Sequence, residues 1–302
     1  MIYTVTLNPS LDYYANSPAI IKGGINKISS ERFVCGGKGI NVSIILSRFG
    51  IESVATGFLG GFTGDEIEKK LTEEGVKTDF VRLENKTSRI NFKLFGAKET
   101  EFNAEGPEVD SQEVQMLLSK LDNVKEGDIV VVSGSAPKGA DNDIYAVMTE
   151  KCNEKGAKVF VDARRAYLTN AVEKRPYLIK PNEKELCEIV GKTSLTDEEI
   201  IKYARRLREM GAENVIVSLG EKGAVLVNGA LRPIKARAPI GEVKSTVGSG
   251  DSLLGGFIAG LKLYADEEKA FKLAVATGTA TAFSEGLATK KMIDAVVTIM
   301  NI

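Results

Sequence analysis

Gly248, Ser249, Gly250 and Asp251 form the group in this chain whose types and spacing best suit chemistry. Glycines at 248 and 250 permit positive φ and close backbone approach, so successive amides can point outward as a nest for an anion. The segment that follows carries Leu254, Phe257, Ile258 and Leu261 at helical spacing, and a helix start there adds positive potential to the nest. A carboxylate in that position either caps the helix or, beside a bound phosphate, acts as a base in phosphoryl transfer. The segment alone is compatible with both. Histidine is absent, so a base working near neutral pH must be a carboxylate, lysine, cysteine or tyrosine tuned by its surroundings, and Ser-His-Asp hydrolysis and His-ligated zinc are excluded.

Two further clusters join the first. Gly36, Gly37, Lys38 and Gly39 precede Val42, Ile45, Leu46 and Phe49 at helical spacing, a second glycine-fed helix start with a charge on it, although a solvated loop lysine reads the same way. In "IKPNEKE", Lys180 and Asn182 end an apolar run and Glu185 follows three residues later. An amide and one carboxylate suit Mg²⁺ that keeps its waters and rests mainly on substrate phosphates; the pattern is equally that of a helix start with surface charge. The two standard nucleotide motifs are missing: "GSGDSL" has Leu253 where a dinucleotide fingerprint needs glycine, and "VGKTS" has Leu186 where a P-loop needs one.

The elements that must position these residues alternate. "IYTVTL", "SVATGFL", "DIVVVSG", "KVFVDA", "YLIKPN" and "NVIVSLG" read as strands buried on both faces, and "GDEIEKKLTEEG", "DSQEVQMLLSKL", "DNDIYAVMTEKCNEKG" and "TDEEIIKYARRLREMG" as the helices between them. The pattern predicts a doubly wound α/β fold with helices on both faces of a parallel sheet, followed by a helical tail rich in small residues. Residues 13–35 and 87–106 break the rhythm with polar and apolar residues in alternation, which predicts half-exposed antiparallel strands paired into one small sheet. We expect a core of residues 1–12, 36–86 and 107–302, with 13–35 and 87–106 as a lid.

The 40 basic and 41 acidic side chains leave a net charge of −1, without the electrostatic footprint of a nucleic-acid binder, so the expected partner is a small molecule. Cys35, Cys152 and Cys187 lack any CxxC spacing, and the chain has neither a signal-peptide pattern nor an apolar run long enough to span a membrane. The expectation is reduced thiols in a soluble, cytoplasmic protein.

"GGKGINVSIILSRFG" and "STVGSGDSLLGGFI" resemble the two signature segments of the ribokinase-like (PfkB) carbohydrate kinases, and "KPNEKE" is similar to that family's Asn-x-x-Glu magnesium motif. "TLNPSLD", "SGSAPKG" and "VSLGEKGA" stand in family order, so the resemblance covers essentially the whole chain. Ser249 stands where the family usually has Ala. The resemblance implies a three-layer α/β/α fold with a small β lid and a transfer of phosphate from ATP to a sugar. It implies Asp251 as base, the amides of Gly248, Ser249 and Gly250 as anion hole, and Asn182 and Glu185 as the Mg²⁺ pair. Lys180, Ser218, Gly220 and Gly223, with Gly248 and Gly250, would contact ATP. Asp12, at the end of the first strand, would bind sugar hydroxyls with Gly37, Asn41 and Ser135 nearby. "TLNPSLD", "GGKGINV" with its lysine, "TSRINFKL", "EFNAEG" and "SGSAPKG" further resemble the subgroup acting on sugars already phosphorylated, and "RIN" and "FN" resemble its fructose 1-phosphate members. Arg89, Lys38 and Lys27 would then hold the existing phosphate, with fructose 1-phosphate ahead of tagatose 6-phosphate and fructose 6-phosphate as acceptor. A homodimer through the lid is also implied. A sugar-phosphate-binding regulator without turnover is the non-enzymatic alternative, and a dehydrogenase is disfavoured by the missing fingerprint.

Overall fold

The computed structural model describes residues 1–17, 20–96, 100–230 and 232–302; residues 18, 19 and 97–99 of the expected lid segments lie outside the described residues. The chain runs β1 Ile2–Thr6, β2 Ser10–Asn16, β3 Ser30–Gly36, α1 Lys38–Arg48, β4 Val54–Gly60, α2 Gly61–Glu73, β5 Lys77–Thr78, β6 Val81–Leu83, β7 Arg89–Phe95, β8 Thr100–Phe102 and α3 Ser111–Lys120. It continues β9 Ile129–Ser133, α4 Ile144–Asn153, β10 Lys158–Asp162, α5 Ala166–Val172, β11 Leu178–Ile179, α6 Glu183–Val190, α7 Asp197–Glu209, β12 Asn214–Ser218, β13 Ala224–Val227, β14 Ile234–Ala236, α8 Ser249–Tyr264, α9 Glu267–Ala282 and α10 Lys290–Ile299.

The large sheet has the order β14-β13-β12-β11-β10-β9-β1-β4-β5, with β6 also paired to β4. It is parallel from β12 to β5, and β13 and β14 add antiparallel. Strands such as Ile129–Ser133 are buried at every position because helices cover both faces. On one face Leu117, Tyr145, Met148 and Leu207 pack against Val5, Val130 and Val159. On the other, Val42 and Leu46 of α1 and Leu254 and Phe257 of α8 join Phe271 of α9. Helices α8 and α9 approach so closely that a β-carbon on Gly260 would lie 2.4 Å from the Ala270 Cα. The expected small residues of the tail therefore serve that contact.

The small sheet has the order β3-β2-β7-β8. Its outer pairs are antiparallel as expected, but the central pair β2–β7 is parallel, because the chain passes through α1, β4 and α2 before returning. The sheet also starts at Ser10. Asp12 therefore stands in the middle of β2 rather than at the end of the first core strand.

Alternation divides the small sheet into two faces. Phe33, Tyr13, Phe92 and Phe102 form a row across one face, with neighbouring ring centroids 5.0, 5.3 and 6.0 Å apart. Phe33 and Phe102 in that row are exposed. Ser10, Asp12, Asn91 and Lys93 occupy the other face and are buried.

Candidate active site

Strands added after β1 extend the large sheet in one direction through β4, and those from β9 onward extend it in the other. The order switches between β1 and β9, and in an open α/β sheet the crevice beyond the carboxyl ends at such a switch is where ligands bind. Two clefts open there, of about 1050 and 810 Å³. The first lies between the polar face of the small sheet and the ends of β1 and β9, and Gly37, Asn41, Arg89 and Ser135 line it. Ser218, Gly220, Gly223, Ser249, Gly250 and Lys180 line the second. Lys38, Asn182, Glu185, Gly248 and Asp251 line both, and so form the wall between them.

Gly248, with φ 77, precedes α8, and no side chain caps that helix; Asp251 sits in its first turn with its carboxylate free of the backbone amides. The capping alternative for Asp251 is thereby removed. Its Oδ2 instead accepts a 2.7 Å hydrogen bond from Asn41 Nδ2. Burial pushes the Asp251 carboxyl above the ordinary carboxylate range, opposed by the Lys38 ammonium and reinforced by the charge of Asp162. A β-carbon at 248 would press to 2.7 Å on Leu287, so both the positive φ and the close approach demand glycine. The Ser249 hydroxyl is buried with no hydrogen-bond partner among the described residues.

Lys38, expected from the resemblance to hold an existing phosphate, lines both clefts, and its ammonium already has a partner. Its Nζ donates to Asp162 Oδ1 at 2.6 Å, while Lys180 Nζ lies 3.0 Å from Asp162 Oδ2. Burial alone would raise the Asp162 carboxyl, but Lys180 and Lys38 together hold it below the ordinary range. Lys27 is the clearer departure: it lies exposed on the connection between β2 and β3 and lines neither cleft. Arg89 does line the first cleft, donating to the carbonyls of Asn8 and Ala104, each at 3.1 Å.

Asn182 and Glu185 form a reciprocal capping box at the start of α6: Asn182 Oδ1 accepts from the Glu185 amide at 2.8 Å, and Glu185 Oε2 from the Asn182 amide at 2.9 Å. The helix-start reading of this pair is therefore correct as local structure, and it fixes both side chains at the wall. On the small sheet, Asp12 Oδ1 accepts from Ser10 Oγ at 2.6 Å and from Asn91 Nδ2 at 2.9 Å, and burial raises its carboxyl.

Asp162, Asn91, Lys93 and Arg164 were not singled out by sequence reasoning. Asp162 carried a usable signal as the acid closing the apolar run "KVFVD" at the carboxyl end of a parallel strand. Asn91 and Lys93 carried another: they alternate with Phe92 on one strand.

Two clefts that share one wall holding a buried acid and a glycine-fed helix start define a class, the ribokinase-like α/β group-transfer enzymes. The chain belongs to the pfkB family of carbohydrate kinases, whose model matches residues 6–293. It is therefore a phosphotransferase that uses an alcohol group as acceptor. It is 42% identical to the 1-phosphofructokinase of Bacillus subtilis, covering 97% of this chain and 96% of that one. It is 36% identical to the D-tagatose-1-phosphate kinase of Bacillus licheniformis, covering 97% and 96%. Among solved structures, phosphofructokinase-2 from Escherichia coli in complex with substrates and products superposes with a TM-score of 0.94 at 28% identity, covering 100% of this chain and 99% of that one.

Proposed function

We propose that the chain transfers the γ-phosphoryl group of ATP to fructose 1-phosphate, giving fructose 1,6-bisphosphate. The observation that carries this reading is the position of Asp251: a buried carboxylate, held by Asn41, in the wall common to both clefts. ATP occupies the cleft of Lys180, Ser218, Gly220 and Gly223, and the sugar phosphate occupies the cleft under the small sheet. Asp251 takes the acceptor hydroxyl's proton as its oxygen attacks. The amides of Gly248, Ser249 and Gly250 receive the charge that develops on the phosphoryl oxygens. Asp12 and Asn91 bind sugar hydroxyls, Ser135 lines the same cleft, and Arg89 turns its guanidinium toward the phosphate already present.

Asn182 and Glu185 fit Mg²⁺ held through water, because Asn182 Oδ1 and both Glu185 carboxylate oxygens already accept one hydrogen bond each, which leaves second lone pairs rather than open oxygens. The ion, bound with ATP, would neutralise phosphate charge. The relatives named for a 1-phosphate acceptor support fructose 1-phosphate over a 6-phosphate.

The small sheet serves as a lid, and its aromatic row docks on the same row of a second copy. Sedimentation analysis tests the dimer: a monomer at micromolar concentration would rule it out, and Phe33→Ser is expected to split a dimer that forms. The three free, buried thiols accord with a cytoplasmic setting.

ADP release with Mg-ATP is to be measured in parallel on fructose 1-phosphate, tagatose 1-phosphate, tagatose 6-phosphate, fructose 6-phosphate and fructose. The highest kcat/KM is expected on fructose 1-phosphate. Silence on all five would favour the sugar-phosphate-binding regulator.

A further inference from the structure

The phosphoryl group in transfer must cross the wall between the clefts, so any cation on that wall meets it midway. Lys38 lines both clefts but is committed to Asp162 at 2.6 Å. Lys184 also lines both, but it is exposed and held by no ion pair among the described residues. Arg164 lines both clefts too and differs from each of these lysines. Its Nε donates to Glu185 Oε1 at 3.0 Å, which anchors the guanidinium, while Nη1 and Nη2 have no hydrogen-bond partner among the described residues. Its side chain is 69% exposed, so the outer half of the fork is free to meet a ligand. The turn that carries it out of β10 is strained: the next residue, Arg165, has φ 51 and ψ −132, a conformation that side chains with a β-carbon rarely adopt.

Resting on the kinase reading, we propose that Arg164 is a further catalytic residue whose guanidinium fork receives the phosphoryl oxygens during transfer. The bond from Pγ to the bridging oxygen breaks and its electron pair stays on the ADP β-phosphate. The bond from the acceptor oxygen to Pγ forms, and the acceptor proton goes to Asp251. Arg164 exchanges no bond or proton. It matches the equatorial oxygens, where a loose transition state spreads its charge, with two parallel N–H donors that a lysine at the same place cannot supply.

The test compares Arg164→Gln and Arg164→Lys with the wild type in kcat, in both KM values, and in affinity for ADP with and without tetrafluoroaluminate, Mg²⁺ and fructose 1-phosphate. For Arg164→Gln we expect kcat to fall by about 10²-fold, as for loss of one preorganised donor. KM for ATP and sugar should stay within about 3-fold, which marks an interaction made only in the transition state. Affinity for the fluoroaluminate complex should fall by the same factor as kcat while affinity for ADP alone is unchanged, and Arg164→Lys should recover part of both. A kcat within about 3-fold of wild type, or a loss carried by KM and ADP affinity, would overturn the proposal. So would equal losses in both variants together with a lowered melting temperature. If Arg164→Gln is fully active on fructose 1-phosphate, this inference falls and the kinase reading stands. A wild type that transfers no phosphate to any sugar takes down both.

Discussion

The end of β10 holds one acid behind the wall and the first turn of α8 presents another on it, in opposite company. Asp162 is 1% exposed with an ammonium on each oxygen, and Asp251 is 8% exposed with an amide on one. Burial is nearly equal, so it cannot explain why one carboxyl is held below the ordinary range and the other is pushed above it; the neighbouring charges do. Asp162 neutralises lysines and holds the wall together. Asp251 is ionised only against resistance, which is the condition of a useful base.

Exchanging each acid for its amide should separate the two jobs. Asp251→Asn is expected to lower kcat by 10²-fold or more, on the order of a positioned base, and to raise the melting temperature, because a carboxyl whose folded pKa is raised opposes folding once ionised. If thermal unfolding instead showed a less stable variant, the electrostatic account of Asp251 would be wrong. Asp162→Asn should cost about 3 kcal/mol in urea unfolding, since it leaves two largely buried ammonium groups without their counter-charge; a loss confined to activity would sink that assignment.

A pH series sharpens the contrast further. Activity should disappear as pH falls through the raised Asp251 value, whereas the stability supplied by Asp162, whose folded value is depressed, is lost only at lower pH, below the unfolded carboxylate value of about 3.9. Coincident loss of rate and fold would erase the distinction. The smallest change is Asn41→Ala, which removes the 2.7 Å hydrogen bond to Asp251. The acid limb of kcat/KM should move to higher pH by about one unit, the scale of a hydrogen bond to a charged group. An unmoved limb would show that Asn41 does not tune the base.

The large sheet was legible because its strands are apolar on both faces and its helices carry caps, as at Asp110 and Thr196. The small sheet was legible as alternation, but the parallel pairing of β2 with β7 was not, because strand patterning carries no direction. At the site, glycine spacing pointed to Gly37 and Gly248, which line the clefts, since only a backbone need explains such residues, and Asp251 follows directly after the second group. Lys38 was located without its partner: nothing in one segment says that a lysine at Lys38 and another at Lys180 meet on one aspartate from a third segment. Lys27 failed for a related reason, since its charge was visible and its distance from the cleft was not.

The β2–β7 pairing also sets an order of events during synthesis. Strands β2 and β3 leave the ribosome before β7 exists, so Tyr13 and Phe33 wait with no neighbour on the β7 side while α1, β4 and α2 are made. The sheet over the first cleft is thus completed only after β1, α1, β4 and α2 of the core have been made. Nascent chains arrested before β7 should be cut by protease within β2 and β3, and chains arrested well beyond β8 should be protected there.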